Sequence, residues 1–429
     1  MRISRDLLYI KAPIVFTLAL LPFWEVIASQ FLNLSEAIYS LVSVAKYFPI
    51  IIAIIYCAGQ YLWGERIRFS KSLMPLFLYF IVLALHAVGD SSIVLILDAI
   101  KLQVLFVLFC FFIRMAMDRN QAIAPSVNLI NKIFLAQLVL AVSVGVFEFF
   151  DQSILMSLYG KALEDMSHVT WMSSVRLISL LGNPINLGAF IVICMSFQVH
   201  GFFEKNLIKQ IALLALMFFS LFVVIFTLSR LALICFIALF FLVFIFLLLR
   251  KNYPSIIMIL LPIILVIFNF DLSNIEFGVL ADRFGNMLDD NEYSGNLRVY
   301  HWLIALQQID NPFFYLWGLG LGKSNPAEEM VLMHEALLIE NSFLTVFVET
   351  GFIGLVLYLW CVNHSLKLSW LYFKNNGNPA FLIFYIIFII FSFGNDFNRN
   401  MPFSFYFWFF YVWLDLHNKF KSRDLIKST

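Results

Sequence analysis

Uninterrupted apolar runs of membrane length recur about twelve times along this chain, and they limit its fold more than any other feature. A helix needs roughly 20 apolar residues to cross about 30 Å of hydrocarbon, so twelve crossings use about 240 residues. Apolar residues make up 62 % of the 429 positions and charged residues 13 %, which is outside the range of soluble domains. Because the runs are continuous rather than alternating, nothing in them suggests a closed β-barrel. The sequence predicts an all-α, polytopic membrane helix bundle.

The predicted spans form one integral membrane domain over residues 1–429. They lie at 12–31, 37–62, 72–89, 92–113, 129–150, 184–201, 209–228, 231–249, 255–270, 341–361, 379–396 and 402–416. The basic N-terminus and the apolar run after it resemble a signal peptide. No convincing cleavage site follows, so this run is interpreted as a retained first helix.

The distribution of lysine and arginine predicts the orientation, since positive residues resist translocation. If the N-terminus is cytoplasmic, nineteen of the 28 basic residues fall on the cytoplasmic side and seven on the other side. This predicts a bacterial inner-membrane protein with both termini in the cytoplasm. The long segment 271–340, which has no membrane-length run, then becomes a large periplasmic loop.

The absence of a cytoplasmic domain limits the chemistry. No cytoplasmic loop exceeds roughly fifteen residues, and neither a GxxxxGK[ST] nor a GxGxxG motif on a strand is present. The net charge of +1 gives no indication of a nucleic-acid partner. All five cysteines lie in apolar runs without CxxC spacing, as expected of buried packing residues. Any catalysis is therefore expected outside, without a cofactor, on a substrate that carries its own leaving group.

Three arginines on the outer side are candidates for substrate binding: Arg176, Arg230 and Arg298. An arginine at a membrane edge often serves as an interfacial anchor. A guanidinium also grips phosphate with two parallel hydrogen bonds, so converging arginines would suit the diphosphate of a lipid carrier. Arg230 is the sharpest case, because it follows an apolar run with almost no loop.

Charged residues inside the predicted spans have a structural and a functional interpretation. They include Glu25, Lys46, Asp98, Lys101, Glu148 and Glu349. Asp98 and Lys101 share a helix face and can neutralise each other, and Lys46 can pair with Glu25 if the first helices pack together. The functional interpretation is a proton or ion relay, or, for the two glutamates nearest the outer side, contact with a substrate cavity.

The large loop contributes His334 as a candidate general base and Trp302 as a candidate for stacking on a sugar ring. A loop histidine is otherwise simply solvated, and most tryptophans belong to the interfacial belt. Neither HxxxH nor HExxH spacing occurs, so no metal site is predicted.

Short motifs follow one another between residues 176 and 360. They are Arg176…Gly182-Asn183-Pro184-x-Asn186, Thr227-x-Ser229-Arg230, Arg298-x-x-x-Trp302, the glycine-rich turn Gly318-x-Gly320-x-Gly322, Glu340-Asn341-Ser342-Phe343-Leu344 and Glu349-Thr350-Gly351-Phe352-Ile353-Gly354. Their order and placement resemble the O-antigen ligase/polymerase superfamily of bacterial inner-membrane proteins, and within it a Wzy-like O-antigen or exopolysaccharide polymerase. Members have many membrane helices and one large periplasmic loop late in the chain.

The resemblance implies transfer of a glycan from undecaprenyl diphosphate to an acceptor hydroxyl, without metal or nucleotide. It implies that Arg230 and Arg298 hold the diphosphate, and we expect Arg176, Asn341, Trp302 and Glu349 to contact substrate. Family ligases carry a histidine immediately before the Asn-x-(Tyr/Phe)-Leu element, where this chain has Glu340. Glu340 and His334 are therefore the candidate bases, and a polymerase that extends a lipid-linked glycan is favoured over a ligase.

Other functions stay open at this stage. They are a ligase that attaches glycan to lipid A-core, a secondary transporter or flippase of lipid-linked glycan, and a non-catalytic scaffold. The intramembrane charges favour a transporter, whereas the lack of an internal repeat opposes one. The sequence gives neither the sugar composition and linkage nor the choice between O-antigen, capsule and another exopolysaccharide. A polysaccharide chain-length regulator is a further expected partner.

Overall fold

The computed structural model describes residues 5–32, 34–62, 71–87, 93–163, 170–171, 174–204, 206–257, 293–324 and 337–428. These residues are mostly helical, because backbone N–H and C=O groups in hydrocarbon must be satisfied within the segment itself. In chain order the α-helices are α1 Ala12–Leu20, α2 Trp24–Leu32, α3 Glu36–Ala45, α4 Phe48–Leu62, α5 Met74–His86, α6 Ile93–Ala99, α7 Leu105–Arg119, α8 Val127–Phe150, α9 Ser153–Tyr159, α10 Pro184–Gln198, α11 Leu207–Phe226, α12 Arg230–Leu249, α13 Tyr293–Gln307, α14 Pro312–Trp317, α15 Ser342–Asn376, α16 Ala380–Ser392 and α17 Phe403–Ser428. Two short strands, β1 Thr170–Trp171 and β2 Ser174–Val175, pair antiparallel.

Within the described ranges, seven helical segments are long and apolar enough to cross a membrane, several of them lengthened by short 3₁₀ or π turns. They are Leu7–Leu32, Ile93–Arg119, Gln121–Phe150, Pro184–Phe203, Leu207–Phe226, Arg230–Leu249 and Ser342–Asn376. An eighth crossing results if α3 and α4, which meet at a bend of 44°, form one broken span. The all-α polytopic fold is thereby confirmed. The count of about twelve spans stays a prediction, and the predicted span 255–270 lies mostly outside the described residues.

Two predicted spans are interrupted or end early as helices in the structure. The span 37–62 is interrupted at Lys46 and Tyr47, between α3 and α4. The span 379–396 ends as a helix at Ser392, so residues 393–402 form a connection between α16 and α17. Both interruptions contain polar residues, which break the apolar run that a membrane helix requires.

Helix α10 is the centre of the bundle. It packs against α8, α11, α12 and α16, and nearly all of its side chains are buried. Gly188 allows close contact with α12, since a Cβ at this position would lie 2.4 Å from the Cβ of Ala232. Such small residues let membrane helices approach closely and gain packing energy. Nearer its C-terminal end, the ring of Phe197 stacks on Phe134 of α8 at 4.4 Å between centroids.

The predicted charge pairs have different outcomes. Asp98 and Lys101 form an ion pair at 2.5 Å, which confirms the prediction from their spacing. Lys46 and Glu25 form no ion pair, although α2 packs against α3 and the charge of Glu25 acts on Lys46. A pairing across the bundle that the sequence did not predict joins Arg114 of α7 to Asp415 of α17 at 2.7 Å.

Candidate active site

The glycine-rich turn is docked on a kink in α15. Gly351 has φ +64° and ψ −168° inside this helix, and the kink frees two carbonyl groups in the turn before it. The amides of Leu319 and Gly320 donate to the carbonyls of Val348 and Glu349 at 2.8 and 3.0 Å. A Cβ on Gly351 would lie 2.3 Å from a backbone oxygen of the large loop, so only glycine permits this approach. The motif therefore clamps the large loop onto α15.

Glu349 completes this clamp with its side chain. Its Oε1 accepts hydrogen bonds from the amides of Gly322 at 2.9 Å and Ser324 at 3.0 Å. The same carboxylate forms an ion pair with Arg399. The residue is 1 % exposed and does not line the cavity described below. The sequence predicts that Glu349 contacts substrate; in the structure its carboxylate is enclosed by protein partners and positions the loop.

Residues 395–400, which we call the polar linker, connect α16 to α17 at this end of the bundle. Arg399 of the linker binds Glu349, and Asp396 lies 4.0 Å from the Arg399 guanidinium. Burial raises the pKa of the Asp396 carboxyl to about 6, and the charge of Arg399 partly offsets that increase. Asn400 donates to the Asn186 side chain of α10 at 2.6 Å. The linker thus ties α10, α15 and α17 together.

A cavity of about 860 Å³ opens beside the polar linker. Its volume falls within the range of about 300–1,000 Å³ that is typical of small-molecule sites. Its lining is rich in carboxylates and amides, which hydrogen-bond well to hydroxyl groups. The polar lining residues include Glu25, Glu36, Tyr39, Ser40 and Lys46 near α2 and α3, Asn183 and Asn186 at the start of α10, Ser324, Glu340, and Asn395, Asp396, Arg399 and Asn400 of the linker.

The three predicted arginines lie near the N-terminal end of α12. Arg230 is its first residue, where the helix dipole adds positive potential. Arg176 is buried and donates from Nε to the carbonyl of Thr227, three residues before Arg230, at 2.9 Å. The charge of Arg298 lies within electrostatic range of Arg230. Three guanidinium groups therefore lie in one region of the protein, as a site for an anion such as a diphosphate requires.

Glu340 lies between these arginines and the cavity. Its carboxylate forms an ion pair with Arg298 of α13, and the same residue lines the cavity. Both side chains are partly open to solvent, with 39 % of Arg298 and 32 % of Glu340 exposed. None of the three arginines lines the cavity itself. The site therefore has an arginine side and a cavity side, with one carboxylate in contact with both.

The other predicted site residues have structural contacts or fall outside the description. Asn341 caps α15: its Oδ1 accepts from the amides of Phe343 and Leu344 at 3.0 Å each, and its Nδ2 donates to the carbonyl of Phe393 at 3.1 Å. Its amide group is thus occupied. Trp302 packs against a buried apolar cluster that joins α13 to α15. His334 lies in 325–336, outside the described residues.

Sequence reasoning missed the polar linker as part of the site. The signal was present, because residues 395–400 form a dense polar run in a chain that is 62 % apolar. Arg399 is one of the seven basic residues predicted on the outer side, but no motif marks it as a site residue. Among the described residues, no group of three or more histidine, cysteine, aspartate or glutamate side chains could hold a metal ion.

A family model described as O-Antigen ligase matches residues 215–359 of this chain. The matched region contains Arg230, Arg298 and Glu340, whereas Arg176 and the polar linker lie outside it. No curated protein matches the chain.

Proposed function

We propose that this chain, a member of the O-antigen ligase/polymerase superfamily, polymerises undecaprenyl-diphosphate-linked oligosaccharide repeat units. The reaction is a glycosyl transfer to an acceptor sugar hydroxyl at the periplasmic face of the inner membrane. One observation carries the proposal: Glu340 is paired with Arg298 on the arginine side and faces the cavity on the other. A donor diphosphate at the arginines and an acceptor glycan in the cavity would then meet at this carboxylate.

The arginines act as the donor site. Arg230, Arg298 and the start of α12 offer charge and N–H donors to the diphosphate, where negative charge develops as the leaving group departs. A diphosphate that binds Arg298 competes with Glu340 for its guanidinium. Donor binding therefore releases the Glu340 carboxylate at the place where the acceptor hydroxyl must be deprotonated.

The chemical step needs only groups that these residues and the substrate supply. The acceptor hydroxyl oxygen attacks the anomeric carbon of the donor glycan, and the bond from that carbon to the diphosphate oxygen breaks. Undecaprenyl diphosphate leaves with the electron pair, and the acceptor proton passes to Glu340 and then to water. General base catalysis of this kind contributes roughly 10²–10⁴-fold to a rate.

A ligase is the second candidate, because the matching family model is itself described as O-Antigen ligase. A ligase uses lipid A-core as acceptor, whereas a polymerase uses another lipid-linked glycan. Gel analysis of surface glycan from a deletion strain separates the two. Loss of a polymerase leaves core carrying a single repeat unit, and loss of a ligase leaves long glycan on the lipid carrier with none on core.

The same deletion strain tests the transport alternative. Loss of a flippase strands single lipid-linked units inside the cell, so that no glycan is found on core at all. We expect the band of core plus one unit. The wild-type gene should restore a ladder of longer glycans in place of this band, whereas the double variant Arg298→Ala, Glu340→Gln should not. That result would attribute polymerisation to this site.

A further inference from the structure

We propose that three residues of the cavity wall form a subsite for an uncharged sugar residue of the acceptor glycan. They are Trp24, Glu25 and Lys46, which are far from Glu340 in the sequence. The proposal rests on the proposed function and adds the residues that select the acceptor. All three line the cavity and lie before residue 215, outside the region that matches the family model. In this proposal these three residues, and not the arginines or Glu340, select which glycan is bound as acceptor.

Trp24 supplies a fixed aromatic surface. Its indole N–H donates to the carbonyl of Val42 at 2.9 Å, and Phe16 packs edge-on against its ring with centroids 6.1 Å apart. These contacts fix the plane of the ring while leaving it on the cavity wall. Such an amphipathic, immobilised ring suits stacking against the C–H face of a sugar at low entropic cost. Trp302, in contrast, is packed among apolar side chains.

Lys46 supplies hydrogen-bond donors. It lies at the bend between α3 and α4 and lines the cavity. Among the described residues it makes a cation–π contact with Tyr47 at 5.6 Å but no ion pair or hydrogen bond. An ammonium group half-buried in a membrane bundle is costly unless it finds a partner. A glycan oxygen in the cavity is a suitable partner.

Glu25 supplies a hydrogen-bond acceptor. Its carboxylate takes one long hydrogen bond, from Tyr39 at 3.4 Å, and its charge acts on Lys46 without direct contact. The wall therefore offers one cationic donor and one anionic acceptor, and Glu36 beside them adds a second carboxylate. Sugar hydroxyls both donate and accept hydrogen bonds, so these groups match an uncharged residue, whereas a carboxylate-bearing sugar would meet two carboxylates and a single ammonium group and would be repelled.

The test measures binding of the free repeat-unit oligosaccharide, released from its lipid, to the purified full chain in nanodiscs by calorimetry. We expect Trp24→Ala and Lys46→Met each to weaken binding roughly tenfold, which corresponds to about 1.4 kcal/mol. Trp24→Phe should bind nearly as well as the wild type, because it keeps an aromatic surface. Trp370→Ala and Lys374→Met, at the far end of α15, are matched controls that should bind like the wild type.

Undecaprenyl diphosphate is the second probe. Its binding should be unchanged in Trp24→Ala and Lys46→Met, and should be lost in Arg230→Ala, which keeps oligosaccharide binding. The subsite would be overturned if Lys46→Met and Trp24→Ala bound the oligosaccharide with wild-type affinity. It would also be overturned if Arg230→Ala lost oligosaccharide binding. If both probes bind as expected but the wild type transfers no sugar, the polymerase proposal fails while the glycan subsite stands.

Discussion

At the scale of single residues, the proposed polymerase activity depends on Glu340 and on its contact with Arg298. The carboxylate is neither buried nor fully solvated, and it has the cavity on one side and a guanidinium on the other. Such an ion pair contributes little to stability because it is partly exposed. Its proposed importance is therefore functional, and substitutions should affect turnover more than folding.

Glu340→Gln keeps the size of the side chain and removes its ability to accept a proton. We expect the turnover number for lipid-linked repeat units to fall by roughly 10²-fold or more, while binding of undecaprenyl diphosphate is kept. Radiolabelled chain growth in membrane vesicles measures the rate. A turnover within a factor of two of wild type would remove Glu340 as the base and leave the histidine at 334 as the remaining candidate.

Arg298→Ala removes a donor to the diphosphate, whereas Arg298→Lys keeps the charge and loses the bidentate geometry. We expect the ratio kcat/KM to fall by roughly 10²-fold for alanine and less for lysine. Arg119→Lys at the opposite end of the bundle is the matched control. Equal activity of the alanine variant and the control would contradict a donor site at Arg298.

Asp396 predicts a pH dependence of stability. Its native pKa of about 6 lies above the ordinary value of 3.8, so the folded protein binds this proton more tightly than the unfolded chain. The contribution to stability is present in acid and is lost as pH rises through about 6. In Asp396→Asn, the fall in melting temperature between pH 4 and pH 7 should therefore be smaller than in wild type. Asp310→Asn, an exposed control, should show the same pH dependence of melting temperature as the wild type. If Asp396→Asn also showed the wild-type pH dependence, the shifted pKa of Asp396 would be refuted.

At the scale of elements, the glycine-rich turn and the kinked start of α15 form one unit. Gly351→Ala places a Cβ against backbone and requires a left-handed conformation, which costs about 1–3 kcal/mol. We expect a lower melting temperature in detergent together with loss of activity, because the clamp holds Glu349 and the loop. Phe352→Ala, next along the helix but exposed, should leave both unchanged. Wild-type stability of Gly351→Ala would mean that the turn is not clamped as described.

The helices were predictable and the site was only partly so, for a physical reason. Membrane helices follow from local apolar runs, and the pair Asp98–Lys101 follows from helical spacing. Contacts such as Arg399 with Glu349 join residues fifty positions apart, so no local pattern reports them. For the same reason, the motifs do not report that Asn341 caps α15 or that Trp302 packs against an apolar cluster.

At the scale of the whole molecule, function requires the cavity to face the periplasm. The charge distribution predicts this orientation, which thiol labelling can measure, because all five native cysteines are buried. In intact cells with a permeabilised outer membrane, Asp310→Cys should react with a membrane-impermeant maleimide, and Asn375→Cys should react only after the inner membrane is opened. The opposite pattern would invert the topology and exclude periplasmic polymerisation.

The most direct measurement of the central claim is chain growth by the purified chain in proteoliposomes that contain only the lipid-linked repeat unit. We predict a ladder of longer lipid-linked glycans, with one undecaprenyl diphosphate released for each bond formed, and no ladder with Arg298→Ala or Glu340→Gln. The proposed function would be contradicted if the wild type made no ladder here and, in proteoliposomes that also contain lipid A-core, added glycan to that acceptor. It would equally be contradicted by a ladder that both variants make at the wild-type rate.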